Sequence, residues 1–513
     1  MSLNRILYVY ICLFFISCNS TSNKTNPNIV LFLVDDMGWQ DTSVPFWENE
    51  TKFNRLYNTP NMERLADMGV KFTNAYSTPV CSPTRISLMT GMNAARHRVT
   101  NWTLHPNVRK PAEINHNTFD FPNWNYNGLS VSDSIPNSVL ATPLPQVLKD
   151  NGYFTIHAGK AHLGAIGYPS SDPINIGFDI NIAGHAAGAP QSYLGMDNFG
   201  NKDSKNKIWA VPGLDNYHGK DIFLTQALSE EILKNLEKPL KSSSPFFLYF
   251  SLYGVHTPLM ADERFIDKYK NIGLENSEIK YASMIESMDY ALGTILNKLK
   301  NENILDNTII IFMSDNGGLS AVARQGEKHK HNYPLKSGKG SIYEGGIRVP
   351  MIVYSPFHNN SKKEVHHPVI IDDFFPSILE LTNSISKSVI QKIDGRSFVP
   401  LLNNEKHDLK PLFWHYPNWW GPSGPGIGSY SAVRLGDWKL IYFHHNQTIE
   451  LYNLKDDIFE ENNLVSTETL KLSELANLLT KYLISVDAQM PFNKIKNSII
   501  PWPNEIHIDD EKI

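Results

Sequence analysis

The stretches NIVLFLVDDMG (28–38) and TIIIFMSDNGG (308–318) share one layout: an apolar run, then acidic or amide side chains, then glycine. The apolar runs do not alternate with polar residues, which is typical of strands covered on both faces. Because ligands bind beyond the carboxyl ends of strands in open α/β sheets, we expect the two ends to meet at one site. That site would bring together Asp35, Asp36, Asp315 and Asn316.

Buried carboxylates repel one another, so a cation is expected among them. The ligands are hard oxygens without cysteine, which favours Ca²⁺ or Mg²⁺ over zinc. Each motif alone also fits an ordinary turn, since Asp, Asn and Gly are turn formers. The matched pair, each member after a buried strand, favours the metal interpretation.

The rest of the chain predicts an α/β sandwich with a mainly parallel central sheet. Further apolar runs predict buried parallel strands at 153–157, 246–252 and 350–354. Apolar residues recur at steps of three and four between 277 and 300, which predicts an amphipathic helix. Shorter helical patterns cover residues 145–150 and 223–236.

A smaller subdomain is predicted at the C-terminal end, over residues 404–513, after the main domain at 28–403. Residues 432–443 and 448–454 are expected to form strands of a small antiparallel sheet, and residues 470–486 a closing helix.

The 513 residues are enough for a large core plus an accessory one. A composition that is 41% hydrophobic and 19% charged is that of a globular protein and excludes a disordered or fibrous chain. The net charge of -5 gives no reason to expect a nucleic-acid partner.

The first residues form a separate segment. Arg5 precedes an apolar run over 6–16, which predicts a signal peptide at 1–17 and is too short to span a bilayer. Cys18, in FFISC, resembles a bacterial lipobox with Phe15 at the usual leucine position. A lipid anchor at Cys18 and an ordinary cleaved signal are both open. Residues 18–27 would form a flexible linker, and the protein is expected in the cell envelope, as an outer-membrane lipoprotein or in the periplasm.

Cys81 is the one cysteine left after that segment is set aside, because the others are Cys12 and Cys18. On its own it fits a small buried hydrophobe. Its context, CSPTRISLMTG (81–91), predicts a helix with Cys81 at the N-terminus, where backbone N–H groups favour an anion. Arg85 would lie one turn on, on the same face.

CSPTR, with the TG that follows at 90–91, resembles the signature of type I sulfatases, whose fold is an alkaline-phosphatase-like sandwich. Other stretches resemble family motifs in the same order, with Ala161, Lys336 and Ser337 as departures. These stretches are NIVLFLVDDMGW (28–39), GKAHLG (159–164), GVHTPL (254–259), SDNGG (314–318), PLKSGKGSIYEGGIRVP (334–350), DGRSFVPLL (394–402) and WKLIYF (438–443).

The resemblance implies that a separate formylglycine-generating maturation enzyme oxidises Cys81 to formylglycine (3-oxoalanine). The hydrated aldehyde would attack sulfur and give a covalent sulfated intermediate. One Ca²⁺ would be bound by the modified Cys81 with Asp35, Asp36, Asp315 and Asn316.

The same resemblance assigns roles to the basic residues. Arg85 would hold the hydrate and offset negative charge. Lys160, His162 and Lys339 would contact the sulfate or the leaving oxygen. His256 would be the general acid at the scissile oxygen.

Substrate contacts are expected from an aromatic cluster that is equally compatible with core packing, and from polar residues in loops. By resemblance the substrate is a sulfated oligo- or polysaccharide, with the algal polymers ulvan, carrageenan and fucoidan as candidates. The aromatic cluster is Phe413, Trp414, His415, Tyr416, Trp419 and Trp420, and the polar residues are His185, Gln191, Tyr193 and Arg324.

Three other histidines are given no role in the chemistry. His329 and His331 are expected in a solvated loop, and His157 in strand packing or next to the site.

Two other functions stay open. The first is a phosphomonoester or phosphonate hydrolase of the alkaline phosphatase superfamily. The second is an inactive glycan-binding lipoprotein that keeps the motif residues without turnover.

Overall fold

A computed structural model describes residues 26–109, 116–202, 205, 207–320, 324, 326–358 and 361–506. The predicted signal peptide and Cys18 lie outside these residues. Within the described part, no helix is both long enough and apolar enough to cross a membrane.

The strands of the described residues are, in chain order, β1 (Asn28–Val34), β2 (Val70–Tyr76), β3 (Phe119–Asp120), β4 (Gly128–Ser130), β5 (Ser138–Leu140), β6 (Phe154–Gly159), β7 (Ile180–Ile182), β8 (Phe246–Ser251), β9 (Thr308–Ser314), β10 (Arg348–Tyr354), β11 (Glu364–Val365), β12 (Val369–Ile370), β13 (Leu412–Tyr416), β14 (Tyr430–Leu435), β15 (Trp438–Phe443), β16 (Thr448–Asn453), β17 (Phe492–Asn493) and β18 (Ser498–Ile499).

The α-helices of the same residues are α1 (Lys52–Leu56), α2 (Pro60–Met68), α3 (Cys81–Thr90), α4 (Ala94–His97), α5 (Leu144–Asp150), α6 (Leu224–Ser242), α7 (Asn276–Asn301), α8 (Glu344–Ile347), α9 (Phe374–Leu381), α10 (Val399–Leu402) and α11 (Thr469–Ser485).

The central sheet has the strand order β11-β2-β10-β9-β1-β8-β6-β7, with β12 also paired to β2. The strands β9, β1, β8, β6 and β7 run parallel to one another. Every residue of β1 is buried, because alternate side chains enter two cores on opposite faces. Helices α3, α5 and α9 pack on one face, and α2, α6 and α7 on the other. The predicted α/β sandwich with a mainly parallel sheet is confirmed.

One strand runs against the prediction. Residues 350–354 were expected in a parallel strand, but β10 is antiparallel to both β9 and β2. Both faces of β10 are covered, so its residues are as apolar as those of a parallel strand. An apolar run reports burial and carries no information on strand direction.

The C-terminal region contains the predicted antiparallel sheet, β13-β14-β15-β16, with α11 packed against it. Its inner residues Trp414, Tyr430 and Ile441 belong to the same hydrophobic core as β1. A buried ion pair joins the two parts as well, because Lys439 Nζ lies 2.9 Å from Glu344 and 2.8 Å from Glu460. The region is therefore continuous with the core of the main sheet.

Candidate active site

The four neighbouring parallel strands β9, β1, β8 and β6 end at one edge of the sheet, and charged or amide side chains follow directly on three of them. Asp315 and Asn316 follow β9, Asp35 and Asp36 follow β1, and Lys160 follows β6. The loop after β8 carries His256. Strand pairing in parallel register therefore brings together residues that are up to about 280 positions apart.

The acidic residues form one buried cluster, in which the side chains of Asp35, Asp36, Asp315 and Asn316 are all inaccessible to solvent. Ligand atoms of Asp35, Asp315 and Cys81 lie within 4.8 Å of one another. Among the described residues, no hydrogen-bond donor reaches Asp35 Oδ1, Asp36 Oδ2 or Asn316 Oδ1. Buried oxygens without donors are costly, so these residues fit a hard cation that would take up the unmet oxygens.

Three cations pair with the three carboxylates. Lys160 Nζ lies 2.5 Å from Asp35 Oδ2, and Lys339 Nζ lies 2.6 Å from Asp36 Oδ1. Nε and Nη2 of Arg85 donate to Asp315 Oδ2 at 3.0 and 2.8 Å.

Arg85 is further fixed by Nη1, which donates to the carbonyl oxygen of Lys160 at 2.9 Å and to the Ser251 hydroxyl. The side chains of Lys160, Lys339 and Arg85 are at least nine-tenths buried. Their ion pairs and hydrogen bonds hold each of them in a single position.

Burial and neighbouring charges shift the pKa values of the aspartates in opposite directions. Burial raises the pKa of Asp35 well above its usual range, and the Asp315 carboxylate adds to the rise. Burial also opposes ionisation of Asp36, but the Lys339 ammonium, with smaller contributions from His256, Lys160 and the Asn316 hydrogen bond, outweighs burial and lowers the pKa of Asp36. The three carboxylates are formally balanced by the three cations, yet burial still raises the pKa of Asp35, which favours a further cation beside it.

Cys81 is the first residue of α3 and is 4% exposed. Burial raises the pKa of its thiol above the usual value. A thiol of this kind is protonated at neutral pH and is a weak nucleophile. The helix places Arg85 one turn beyond Cys81, as the spacing predicts.

The two histidines near Cys81 make different hydrogen bonds. His256 Nδ1 donates to the carbonyl oxygen of Thr257 at 2.7 Å, and its Nε2 lies 3.6 Å from Asp36 Oδ2. Burial lowers the pKa of His256 to about 3, and Lys339 contributes to the fall. His256 is therefore neutral in this arrangement, and an anionic group beside Nε2 would raise its pKa.

His162 has a left-handed backbone conformation, with φ 55°. Its Nε2 donates to the carbonyl oxygen of Thr103 at 2.8 Å. The ring packs against Gly188, where a Cβ would overlap it. Within the described residues its buried Nδ1 has no hydrogen-bond partner.

A pocket of about 420 Å³ opens above Cys81. Lys339, His162 and His256 are its polar lining residues beside Cys81. Its other walls are Trp102, Gly188, Ala189, Pro190, Gln191, Trp209, Thr257, Pro258 and Trp420.

The family model for sulfatases matches residues 27–384, which include every site residue described above except Trp420. The chain belongs to the sulfatase family. A second model, for the C-terminal part of N-sulphoglucosamine sulphohydrolase, matches residues 337–489. Family membership makes the protein a sulfuric ester hydrolase.

Relatives of this sulfatase match over most of their length. A sulfatase of Formosa agariphila is 27% identical over 93% of this chain and 92% of its own. The N-acetylgalactosamine-6-sulfatase of Mus musculus is 30% identical over 80% of this chain and 71% of its own. The solved structure of Ps i-CgsB, also determined in complex with k-i-k-neocarrahexaose, has a TM-score of 0.70 and 27% identity, covering 90% of this chain and 93% of its own. The fold is the alkaline-phosphatase-like sandwich that the resemblance implied.

Of the polar residues expected to contact substrate, Gln191 lines the pocket of this sulfatase. His185 Nδ1 bonds to the Tyr253 hydroxyl at 2.8 Å, outside the pocket lining. Tyr193 is fully buried, and its hydroxyl donates to the carbonyl oxygens of Tyr253 and His256 at 2.7 and 2.8 Å. Tyr193 therefore supports the loop that carries His256 instead of contacting the substrate.

The expectation that Arg324 contacts substrate is wrong. Its side chain is fully buried and pairs with Asp41 and Glu278, each at 3.1 Å. The ring of Tyr281 lies 3.9 Å from the guanidinium carbon. Arg324 thus completes a buried ion cluster, and its sequence context, in a polar loop, gave no signal of that burial.

The aromatic cluster divides between core and pocket. Trp414 donates its indole N–H to the carbonyl oxygen of Ser77, Phe413 stacks on Tyr482, and Tyr416 is buried. Trp420 is the cluster member that lines the pocket. Trp102 and Trp209 were not anticipated there, because neither lies within a stretch that resembles a family motif.

Three further histidines, His157, His329 and His331, are buried to different degrees. His331 was expected in a solvated loop but is only 5% exposed, because Asn332 and the segment beyond it pack on the glycines after β9. His329 is partly exposed. His157 packs edge-on against Phe178 and Tyr249, as expected for strand packing.

Proposed function

We propose that this sulfatase hydrolyses sulfate esters of a carbohydrate in the pocket above Cys81, after conversion of Cys81 to formylglycine. The observation that carries the proposal is the position of a buried, poorly nucleophilic thiol within 4.8 Å of ligand atoms of Asp35 and Asp315. Three buried cations surround the same point. Such a thiol is of little use as it stands, and its conversion to an aldehyde would explain its place at the centre of the site.

Asp35, Asp36, Asp315 and Asn316 would hold one Ca²⁺ together with residue 81. The ion would supply a Lewis acid, and the hydrated aldehyde would supply a nucleophilic hydroxyl in place of the thiol. The oxygens left without donors in this cluster support a hard cation.

The chain's own cations stabilise the charge that builds up during sulfate transfer. A sulfate ester is anionic, so a nucleophile that approaches it is repelled unless positive charge is fixed nearby. Lys339 lines the pocket and would contact the sulfate, while Lys160 and Arg85 lie behind the carboxylates. Because all three are held by ion pairs, they need not reorganise during the reaction.

The leaving sugar oxygen needs a proton, and His256 is the proposed donor. Its ring lines the pocket, with Nδ1 committed to the Thr257 carbonyl and Nε2 left for the substrate. A bound sulfate would raise its pKa toward the range in which it can donate. His162, through Nδ1, would contact the sulfate or the leaving oxygen.

The carbohydrate assignment is supported by what the relatives act on or bind. One relative is an N-acetylgalactosamine-6-sulfatase, and the neighbour Ps i-CgsB was solved with a neocarrahexaose. We extend this to a sulfated oligo- or polysaccharide, with carrageenan, ulvan and fucoidan as candidates to be tested side by side. We further propose export to the cell envelope, with or without lipid on Cys18, and a maturation enzyme as the partner that acts on Cys81.

The decisive experiment is mass spectrometry of the peptide that carries Cys81, from protein produced together with a formylglycine-generating enzyme. We expect a peptide 18 Da lighter than the cysteine form, which is the difference between a thiol and an aldehyde, roughly the mass lost when CH₂SH becomes CHO. Sulfate release from sulfated saccharides should accompany this aldehyde. Cys81→Ala should abolish release without lowering the melting temperature.

The same preparation separates the proposal from its rival. Hydrolysis of 4-nitrophenyl phosphate or a phosphonate ester faster than 4-nitrophenyl sulfate would favour a phosphoester hydrolase. An unmodified Cys81 in fully active protein, or an active Cys81→Ala variant, would remove residue 81 from the mechanism. Binding of sulfated saccharides without turnover by the aldehyde form would favour the inactive glycan-binding lipoprotein.

A further inference from the structure

Three tryptophans from separate parts of the chain line the pocket above Cys81, and we call Trp102, Trp209 and Trp420 the tryptophan rim. Each is partly exposed, so each keeps accessible ring surface. The floor of the pocket holds Cys81 and Lys339. The pocket therefore has a charged floor that suits a sulfate and aromatic walls that suit an apolar surface above it.

Two buried asparagines join the walls that carry Trp102 and Trp420. Asn101 Nδ2 donates to the carbonyl oxygen of Trp419 at 3.1 Å, and its Oδ1 accepts from the backbone N–H of Trp102 at 2.9 Å. Asn418 Nδ2 donates to the Thr100 hydroxyl at 2.7 Å. Both asparagines are fully buried, so the two walls are held by paired hydrogen bonds that water does not replace.

Trp209 is held next to Trp102 by different contacts. Its carbonyl oxygen accepts from the backbone N–H of Gln191 at 2.7 Å. Trp102 and Trp209 both pack against a small apolar cluster that includes Leu104 and Ala187. Trp102 and Trp209 therefore pack on the same apolar cluster.

Trp420 is held from the catalytic side. Gly340 lies so close to its ring that a Cβ on Gly340 would overlap it. The Lys339 ammonium is 6.0 Å from the centre of the same ring. Trp420, a residue of the C-terminal region, therefore lies beside Lys339, the cation proposed to bind sulfate. These contacts hold its ring in place without a bound substrate.

We propose that the tryptophan rim binds the sugar ring that carries the scissile sulfate, and that Asn101 and Asn418 are positioning residues for it. This inference rests on the proposed function. The C–H faces of a pyranose are apolar and stack on aromatic rings, while its hydroxyls and sulfate require polar partners. A charged floor below an aromatic rim matches that distribution. The C-terminal region then forms part of the substrate site instead of a separate accessory unit.

Stacking of this kind is present in the ground state and in the transition state. Its removal therefore raises KM and leaves kcat nearly unchanged. We expect Trp102→Ala and Trp420→Ala to raise KM for the best sulfated saccharide about tenfold each. Trp102→Phe and Trp420→Phe keep an aromatic face and should recover most of the affinity. Asn101→Ala should raise KM in the same way, with a smaller effect on kcat.

The test measures kcat and KM for a panel of sulfated galactose, N-acetylgalactosamine and glucosamine saccharides, with 4-nitrophenyl sulfate as a small ester. Trp438→Ala is the matched control, because Trp438 is partly exposed on β15 and does not line the pocket. Thermal unfolding of every variant shows whether it is folded. We expect the alanine variants to lose much more on the saccharide than on the small ester, and the control to lose neither.

The following results would contradict the role of the tryptophan rim or, in the last case, the proposed function. Unchanged KM for the saccharide in folded Trp102→Ala and Trp420→Ala would remove the rim from sugar binding. Equal losses on both esters, or losses in the control, would assign the effect to general damage. Hydrolysis of 4-nitrophenyl sulfate without turnover of any saccharide would overturn the sugar subsite and the carbohydrate assignment, while the sulfatase activity itself would stand. Failure on both esters would instead count against the proposed function.

Discussion

Each carboxylate of the site is paired with a cation through one oxygen. Lys160 takes Asp35 Oδ2, Lys339 takes Asp36 Oδ1, and Arg85 takes Asp315 Oδ2. The second oxygens of Asp35 and Asp36 are left without hydrogen-bond donors. At the scale of single residues, the cations therefore neutralise each carboxylate through one oxygen, and the second oxygens of Asp35 and Asp36 are left for a metal.

A buried histidine near α3 makes stability depend on pH. His97 is fully buried in α4, and its Nδ1 accepts from the backbone N–H of Val99 at 3.0 Å. Its Nε2 bonds to the Ser87 hydroxyl at 3.2 Å. Burial lowers the pKa of His97 to about 3. A second ring proton would face the Val99 N–H, so the neutral form is the one that fits the fold.

We predict that His97 contributes to acid destabilisation. Its pKa is about 6.5 when unfolded and is lowered to about 3 in the folded chain, so the unfolded state binds more protons between these values. Its contribution to stability is complete above pH 6.5 and is lost as the pH falls toward 3. Denaturant unfolding at pH 7 and pH 5 should show about 2 kcal/mol less pH-dependent loss in His97→Asn than in the wild type.

The wild-type chain, measured at the same two pH values, is the reference. Identical slopes for His97→Asn and the wild type would show that His97 does not titrate between the two states.

At the scale of elements, the chain after β9 packs against the turn of α8 with no space for side chains. A Cβ on Gly317 would overlap the carbonyl oxygen of Gly345, and a Cβ on Gly346 would overlap that of Ser341. The backbone N–H of Gly317 donates to the carbonyl oxygen of Gly346 at 3.0 Å. The glycines let the two segments approach, and this approach sets the position of Asp315 and Asn316.

Gly317→Ala should therefore lower the free energy of unfolding by about 1–3 kcal/mol and reduce activity, because the added methyl group pushes the two segments apart. Gly428→Ala serves as the control, since its nearest neighbours would lie 3.8 Å from the new Cβ. The control should stay within about 0.5 kcal/mol of the wild type. Equal stability and activity in both variants would show that the contact is not needed.

Most elements follow from their own sequence. The strand predicted at 28–34 has those bounds, and the helix predicted at 277–300 spans Asn276–Asn301. The 432–443 prediction was less accurate, because the Gly436 turn divides it into β14 and β15. The direction of β10 was missed, since strand direction depends on the connection and not on the residues within the strand.

At the scale of the whole molecule, the site depends on contacts between distant segments. Residues that follow β1, β6, β8 and β9 meet at it, and one hydrophobic core runs from β1 into the sheet β13–β16. A cation bound by Asp35, Asp36, Asp315 and Asn316 would tie β1 to β9. We therefore expect the metal to stabilise the entire fold and not a single loop.

We predict that a chelator lowers the melting temperature and abolishes sulfate release, and that Ca²⁺ restores both. At a hundredfold excess over Kd, the ion should contribute about 2.7 kcal/mol to stability. Differential scanning calorimetry with and without Ca²⁺ measures the shift. Asp36→Asn should lose most of it, whereas Asp215→Asn, at an exposed carboxylate, should retain it. An identical melting temperature in both conditions, with no metal by elemental analysis, would exclude a structural ion.

The sequence by itself determined the α/β class, the bounds of the buried strands and the grouping of acidic residues at their ends, because burial and strand ends leave local patterns. Only the tertiary structure decided that Trp102, Trp209 and Trp420 share one pocket and that Arg324 is buried away from it. The physical reason is that loop residues carry no periodicity that reports their neighbours. Their positions follow from packing between segments hundreds of residues apart.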